Sequence, residues 1–270
     1  MQTNPTPKWL ELFITAFGAQ GLVALAWWAG AYHAERIRNL QGTYPILQIN
    51  GDAGSGKSTL VSNLWKLSGV TESELISPCS HTFGALLLRL AKAVNEPVVI
   101  DDVANPHESV RFDWDCLKQF YSSDNVLRSG PSERVKFRGA LVIVGTGPNI
   151  LKTRSVEVQL ERAAPVAERS AAVQALYDLH ITDLAEFLNK VQANAEMAGF
   201  CMGRADVLAL TQSGLPLTDR DARNHAQLLG MLDFIDVLFN VPAEALAAAE
   251  RKVREMAWHT VGRTRGPIED

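Results

Sequence analysis

The segment that most constrains this chain is Pro45-Ile-Leu-Gln-Ile-Asn-Gly51-Asp-Ala-Gly-Ser-Gly56-Lys57-Ser58. Gly51, Gly56, Lys57 and Ser58 satisfy GxxxxGK[ST] in full. Ile46, Leu47 and Ile49 read as a buried strand before it, and Thr59-Leu-Val-Ser-Asn-Leu-Trp-Lys-Leu as an amphipathic helix after it. Glycines let successive backbone N–H groups curl around phosphate oxygens, where a side chain would obstruct. The helix N-terminus adds partial positive charge. Gly51, Asp52, Ala53, Gly54, Ser55, Gly56, Lys57, Ser58 and Thr59 are therefore expected to hold ATP. Lys57 would reach the β- and γ-phosphates, and Ser58 would ligate Mg2+.

A second strand, Pro97-Val-Val-Ile-Asp101-Asp102, ends in two carboxylates. Placed one αβ unit after the loop, it supplies what ATP hydrolysis needs: Asp101 for the metal and Asp102 to polarise the attacking water. A third apolar run, Ala140-Leu-Val-Ile-Val144, ends in Gly145-Thr-Gly-Pro-Asn149. In ATPases with a strand inserted between the first two, a polar residue here senses the γ-phosphate. Thr146 and Asn149 are the candidates, with Thr146 nearer the strand end. Lys152 to Leu160 then alternates like a strand, and Arg154 at its start is the candidate for stabilising transition-state charge in a neighbouring subunit.

Residues 126–138 read as a hairpin with a Ser-Gly-Pro-Ser tip. They carry Arg128, Arg134, Lys136 and Arg138 against Glu133, a local +3 in a chain of net charge −4. The overall charge excludes a generally basic binder, so nucleic acid would be held locally, with Arg134 and Lys136 as candidates. Asp113-Trp-Asp115 reads as helix N-terminal acids. Cys79 and His81 are too few for a metal site. Cys79, Cys116 and Cys201 form no CxxC pair and leave an odd count, which speaks for a reducing, cytoplasmic setting. Leu12 to His33 has no charged residue and is long enough to cross a bilayer; its glycines and alanines make a buried helix, or two short ones, the expected outcome.

Three zones emerge: a helical segment at 1–44, an ATPase core at 45–160 with βαβ alternation, and a helical domain at 161–270. Pro242 marks the first position of a helix through Ala243 to His259.

These motifs together resemble the ATPase module of phage- and plasmid-type primase–helicases, related to superfamily 3 helicases within the AAA+ class. The resemblance rests on Gly-Asp-Ala-Gly-Ser-Gly-Lys-Ser with Asn-Leu-Trp-Lys-Leu-Ser-Gly, on Glu-Pro-Val-Val-Ile-Asp-Asp, on Phe112-Asp-Trp-Asp-Cys-Leu-Lys and on Phe137-Arg-Gly-Ala-Leu-Val-Ile-Val. Ala24-Leu-Ala-Trp-Trp-Ala-Gly is also similar to a packed, soluble helix in that setting. The tail resembles the family only around Arg223-Asn-His-Ala-Gln-Leu-Leu. The resemblance implies an α/β P-loop NTPase core with helices on either side in sequence, a hexameric ring, ATP hydrolysis with Mg2+ between subunits, and single-stranded DNA in a central channel. It places Arg154 near the finger or sensor position, and Arg134 or Lys136 near the DNA-contacting hairpin. Thr146 departs from the usual Asn at the strand-end sensor. Without a primase or zinc-binding region before the core, priming is not expected. The leading expectation is a helicase or translocase of a mobile element, with a replication protein as a further partner. The alternatives are an AAA+ switch that recruits a protein without unwinding DNA, and a membrane-associated NTPase. A small-molecule kinase fits poorly, because no arginine-rich lid is evident.

Overall fold

The β-branched runs of the middle zone become parallel strands. A computed structural model describes residues 5–71, 75–76, 83–101, 114–122, 127–129, 133–145, 149–162, 166–204 and 216–264. Strands β1 (Ile46–Gly51), β2 (Leu75–Ile76), β3 (Val94–Asp101), β6 (Arg138–Val144) and β7 (Ser155–Leu160) form one sheet in the order β2-β3-β6-β1-β7. Every pairing is parallel. Two further strands, β4 (Leu127–Ser129) and β5 (Glu133–Val135), make an antiparallel hairpin with Arg128 opposite Arg134. The inserted strand is β6, which pairs with β1 on one side and β3 on the other. This is the α/β arrangement of a P-loop NTPase core.

Parallel strands bury both faces, and side chains alternate between them. Leu47, Ile49, Val142, Val156 and Val158 join the larger apolar cluster, whereas Ile46, Ile100, Leu141 and Ile143 join the smaller one. The larger cluster also takes Trp9, Trp27 and Trp28 from the N-terminal zone and Phe187, Phe234 and Val253 from the helical tail. One core thus draws on all three zones of the sequence.

Helix α1 (Lys8–Ala31) carries the long apolar run. Its 18-residue window has mean hydropathy 1.5, and 67% of that window is buried inside the protein. Gly18 has φ 61° and ψ −155°, a backbone state open mainly to glycine, so the run is two helical segments meeting at a kink. Trp27 Nε1 donates to Pro45 O at 2.8 Å, and Trp28 Nε1 donates to Ser68 Oγ at 2.8 Å. The Trp28 ring also meets the edge of Trp65 at 5.0 Å. These contacts fix α1 against the flanks of β1 and α3 (Lys57–Leu67). Trp28→Ala is expected to cost about 3–5 kcal/mol, the scale for truncating a buried tryptophan. Urea unfolding measures it, and a loss under about 1 kcal/mol would mean that α1 is not part of this core.

Helix α2 (Ala34–Gln41) follows, and Asn95 in the left-handed region (φ 49°) accepts the Glu35 N–H at 3.0 Å. Arg38 on α2 is 1% exposed. It donates to Gly139 O at 2.7 Å and to Phe120 O at 2.9 Å, and lies over the Phe137 and Tyr44 rings. Burial pulls its pKa down to about 10, so it stays charged near neutrality. One arginine of this charged helix thus serves as a buried clamp on the start of β6. The segment read as a helix from Asp113 is a 3-10 helix over Trp114–Tyr121, with Asp115 paired to Lys118 at 3.2 Å; Asp113 lies outside the described residues.

Helix α4 (Phe83–Lys92) precedes β3, and the tail adds α5 (Ala167–Asp178), α6 (Ile181–Ala193), α7 (Ala195–Arg204), α8 (Asp219–Phe239) and α9 (Ala243–Thr264). Pro242 stands one residue before its expected place, since its carbonyl accepts the first helical bond of α9 from Leu246 N. His180 caps α6. His225 Nδ1 donates to Asp221 O at 2.7 Å, and His33 Nε2 donates to Val191 O at 2.8 Å.

Burial lowers the pKa of both His33 and His225, against the pull of these carbonyls. A group buried in its neutral form adds stability that is complete above its unfolded pKa of about 6.5 and is lost as pH falls through that value toward the folded one. The free energy of unfolding should fall between pH 7.5 and 5.5, by at most about 1.4 kcal/mol per pH unit for each histidine. His225→Gln should flatten that slope, and an unchanged slope would contradict a buried neutral ring.

Candidate active site

The glycine-rich loop joins β1 to α3 at the C-terminal edge of the sheet. Gly51, Gly54 and Gly56 all have positive φ, at 146°, 78° and 96°. A Cβ on Gly51 would lie 2.4 Å from Leu160 O and 2.5 Å from Ser55 Oγ, so the start of the loop is pressed against the end of β7. At Gly54 and Gly56 a Cβ would meet nothing within 4 Å. There the glycines serve backbone conformation and leave the concave side clear. The first α3 carbonyl bond runs from Leu60 N to Gly56 O, and no side chain caps that helix end. The N–H groups of Lys57, Ser58 and Thr59 are thus the orphan donors expected at a helix start. Such an end attracts phosphate.

Lys57 Nζ donates to Gly51 O and to Asp52 O at 2.9 Å, which places its ammonium across the loop. Ser55 is buried, and its hydroxyl has no partner among the described residues. Asp52, Ala53 and Ser58 are exposed, and Thr59 is half-buried. Asp101 ends β3 and is half-buried. Burial raises its carboxyl pKa, and the Lys57 charge pulls it back. The strand therefore brings Asp101 into the electrostatic reach of the loop lysine. A serine hydroxyl and a carboxylate are oxygen donors that fit Mg2+, which is held by one or two protein groups plus phosphates.

Gly145, at the end of β6, donates its N–H to Ile49 O at 2.9 Å, so the chain leaves β6 beside the loop strand. Thr146 and Asp102 lie outside the described residues. A cleft of about 290 Å³ adjoins the loop, lined by Phe17, Leu160, Val166 and Val173 together with the polar Ser55, Thr59, Arg169 and Ser170. Arg169 Nε donates to Ala16 O at 2.7 Å, next to the α1 kink.

Arg154 is elsewhere. It precedes β7, whose first residue pairs with Ile46 and whose last pairs with Gly51. Six residues at about 3.3 Å each separate it by roughly 17–20 Å along the strands from the loop. Arg154 is thus beyond reach of the loop in its own chain. It lines a cavity of about 700 Å³ with Lys118, Tyr121, Arg220 and Arg223. Nothing in the sequence places Arg220 and Arg223 beside Arg154; the fold does so by bringing α8 to this edge. On the hairpin, Arg134 occupies β5, while exposed Lys136 lies with its Nζ 3.5 Å from Asn39 Oδ1 at the end of α2.

The chain superposes on the solved structure of "SCCmec type IV Cch - active helicase" with a TM-score of 0.68, at 12% identity, covering 96% of this chain and 52% of that one. The likeness is one of fold, and this chain spans about half the length of that helicase. JCV helicase also aligns, at 14% identity over 92% of this chain and 70% of that one, with a TM-score of 0.38. No family model matches the chain. No curated protein matches it either.

Proposed function

We propose that this chain is an ATP hydrolase that works on DNA as a helicase or translocase. The observation that carries this reading is the glycine loop on β1, with β6 inserted between it and the strand ending in Asp101. Lys57 would neutralise β- and γ-phosphate charge, and the loop N–H groups would orient the phosphate chain. Ser58 and Asp101 would hold Mg2+, which when bound supplies positive charge against the phosphate oxygens. Asp102 would accept the proton of the attacking water, Thr146 would sense the γ-phosphate, and the cleft beside Phe17 and Val173 would take the nucleobase. Arg154, out of reach in its own chain, would act on the nucleotide of a neighbour. That geometry supports a ring, which we propose to be hexameric, in the cytoplasm, serving a mobile element with a replication protein as partner. The alternative, an AAA+ switch without unwinding, shares the loop and lacks a need for the hairpin.

The hairpin is where these readings part. Arg134→Ala with Lys136→Ala is expected to weaken single-stranded DNA binding by about tenfold at low salt and less at high salt, with basal ATP turnover intact. Unchanged DNA affinity would remove the channel and favour the switch.

A further inference from the structure

One face of the sheet turns polar beside β7. Leu47, Ile49, Val156 and Val158 face the larger apolar cluster, so Gln48 on β1 and Glu157 on β7 face the other way. These two stand in register across the strand pair. Here α8 and α9 leave a cavity of about 280 Å³, with Gln48 and Glu157 on its sheet side and His225 and Met256 on its helix side. That volume stands near the lower end, roughly 300 Å³, of small-molecule sites. No described residue lines both this cavity and the cleft beside the glycine loop.

Gln48 is 4% exposed, and its Nε2 is buried with no partner among the described residues. A buried amide donor left unpaired is costly and uncommon. The terminal torsion of glutamine is soft, so this donor can turn toward whatever fills the cavity. Glu157 Oε1 accepts Asn50 Nδ2 at 2.7 Å, and a carboxylate has about four acceptor sites, enough to take ligand N–H groups as well. Paired strands lie about 4.8 Å apart, so an amide donor and a carboxylate acceptor stand side by side. His225 is 2% exposed and gives its Nδ1–H to Asp221 O, and burial keeps the ring neutral near pH 7. Lys152 and Lys252 are matched by Glu157 and Glu161 at the cavity, which leaves no positive well for a polyphosphate. Among the described residues no three His, Cys, Asp or Glu side chains converge as metal ligands, so a cation is not the occupant. What remains is a small neutral ligand with an acceptor beside a donor on one edge. A flat heterocycle suits walls made by an imidazole ring and the Met256 thioether.

We propose that this cavity binds the nucleobase of a free nucleoside, with Gln48 donating to a ring acceptor and Glu157 accepting the adjacent N–H groups. Guanine is the best match, because its O6 acceptor lies beside two N–H groups that one carboxylate can take together. The site stands apart from the glycine loop and does not depend on ATP hydrolysis.

The test is calorimetric titration of the full chain with guanosine, first alone and then with saturating ATP. Guanosine should bind with a Kd of about 10–100 μM, the scale for a compact ligand of this size. ATP should change that affinity by less than about twofold. Gln48→Leu should weaken guanosine by about tenfold or more and leave ATP affinity within about twofold of the parent. Its unfolding midpoint should not fall, since the substitution removes an unpaired buried amide. Met256→Trp fills the cavity from α9 without altering Gln48, and should abolish guanosine binding by itself. No binding to the parent up to about 1 mM guanosine would overturn the proposal. Displacement of guanosine by ATP would assign it to the cleft beside the glycine loop and overturn the separate site. Unchanged affinity in both variants would place the nucleoside elsewhere. Equal affinity for guanosine, adenosine and cytidine would overturn recognition of the guanine edge. Loss of an oligonucleotide in these variants, with no guanosine bound by the parent, would make the cavity part of a nucleic-acid surface and overturn the free-nucleoside ligand.

Discussion

Lys57→Ala is expected to reduce ATP turnover by at least about 10²–10³-fold, the cost of removing one group that stabilises transition-state charge. The side chain reaches across the loop to Gly51 O and Asp52 O, so it stands where the phosphates would lie. Its loss should leave the fold intact. Lys57 is half-buried on the first turn of α3, and the apolar face of that helix is formed by Leu60, Val61, Leu64 and Leu67. Far-ultraviolet circular dichroism and the unfolding midpoint should therefore match the parent. Phosphate release measured side by side decides it: normal turnover in the variant would sink the assignment of the loop as the hydrolytic site.

Asp101→Asn should produce two effects of opposite kind. Turnover should fall by about 10²-fold or more, since the amide carries no charge for the metal. Stability should rise. Burial holds the carboxyl of the folded chain above its ordinary pKa, with Lys57 offsetting part of that shift. The folded state then binds more protons than the unfolded state between the two pKa values. Stability falls as pH rises through that window, and the deficit persists at neutral pH. An amide removes it. A higher unfolding midpoint at pH 7 with lost turnover marks a residue kept for function against stability. At pH 3, below the ordinary carboxylate range, the gain should vanish. A variant less stable than the parent at pH 7 would show that Asp101 is held by favourable contacts and would count against its metal role.

Local chemistry made the loop and its strands legible. The glycines of 51–56 need positive φ, and the runs at 46–49, 97–101 and 140–144 have nowhere to go but a buried sheet. The hairpin was legible from its turn residues. The apolar run at 12–33 was ambiguous, since composition alone does not separate a core helix from a spanning one. The partners of the Trp27 and Trp28 N–H groups resolve it as a packed helix. What stayed hidden depends on distant pairings. Arg38 lies in a charged tetrapeptide, yet it is buried by Phe120, Phe137 and Gly139, about a hundred residues away. The polar face of α8, with Asp221, Asn224, His225 and Gln227, looks solvated in sequence and is buried in the fold. Arg220 and Arg223 meet Arg154 only because β7 is an edge strand and α8 packs beside the turn that precedes it.

The most direct test of the central claim is the ATP turnover of the purified chain with and without single-stranded DNA, at low and moderate salt. An ATPase that tracks along DNA predicts clear stimulation that weakens as salt rises, because the basic hairpin sits in an otherwise acidic chain. Turnover that is indifferent to DNA at both salts would contradict translocation and leave a nucleotide switch in its place.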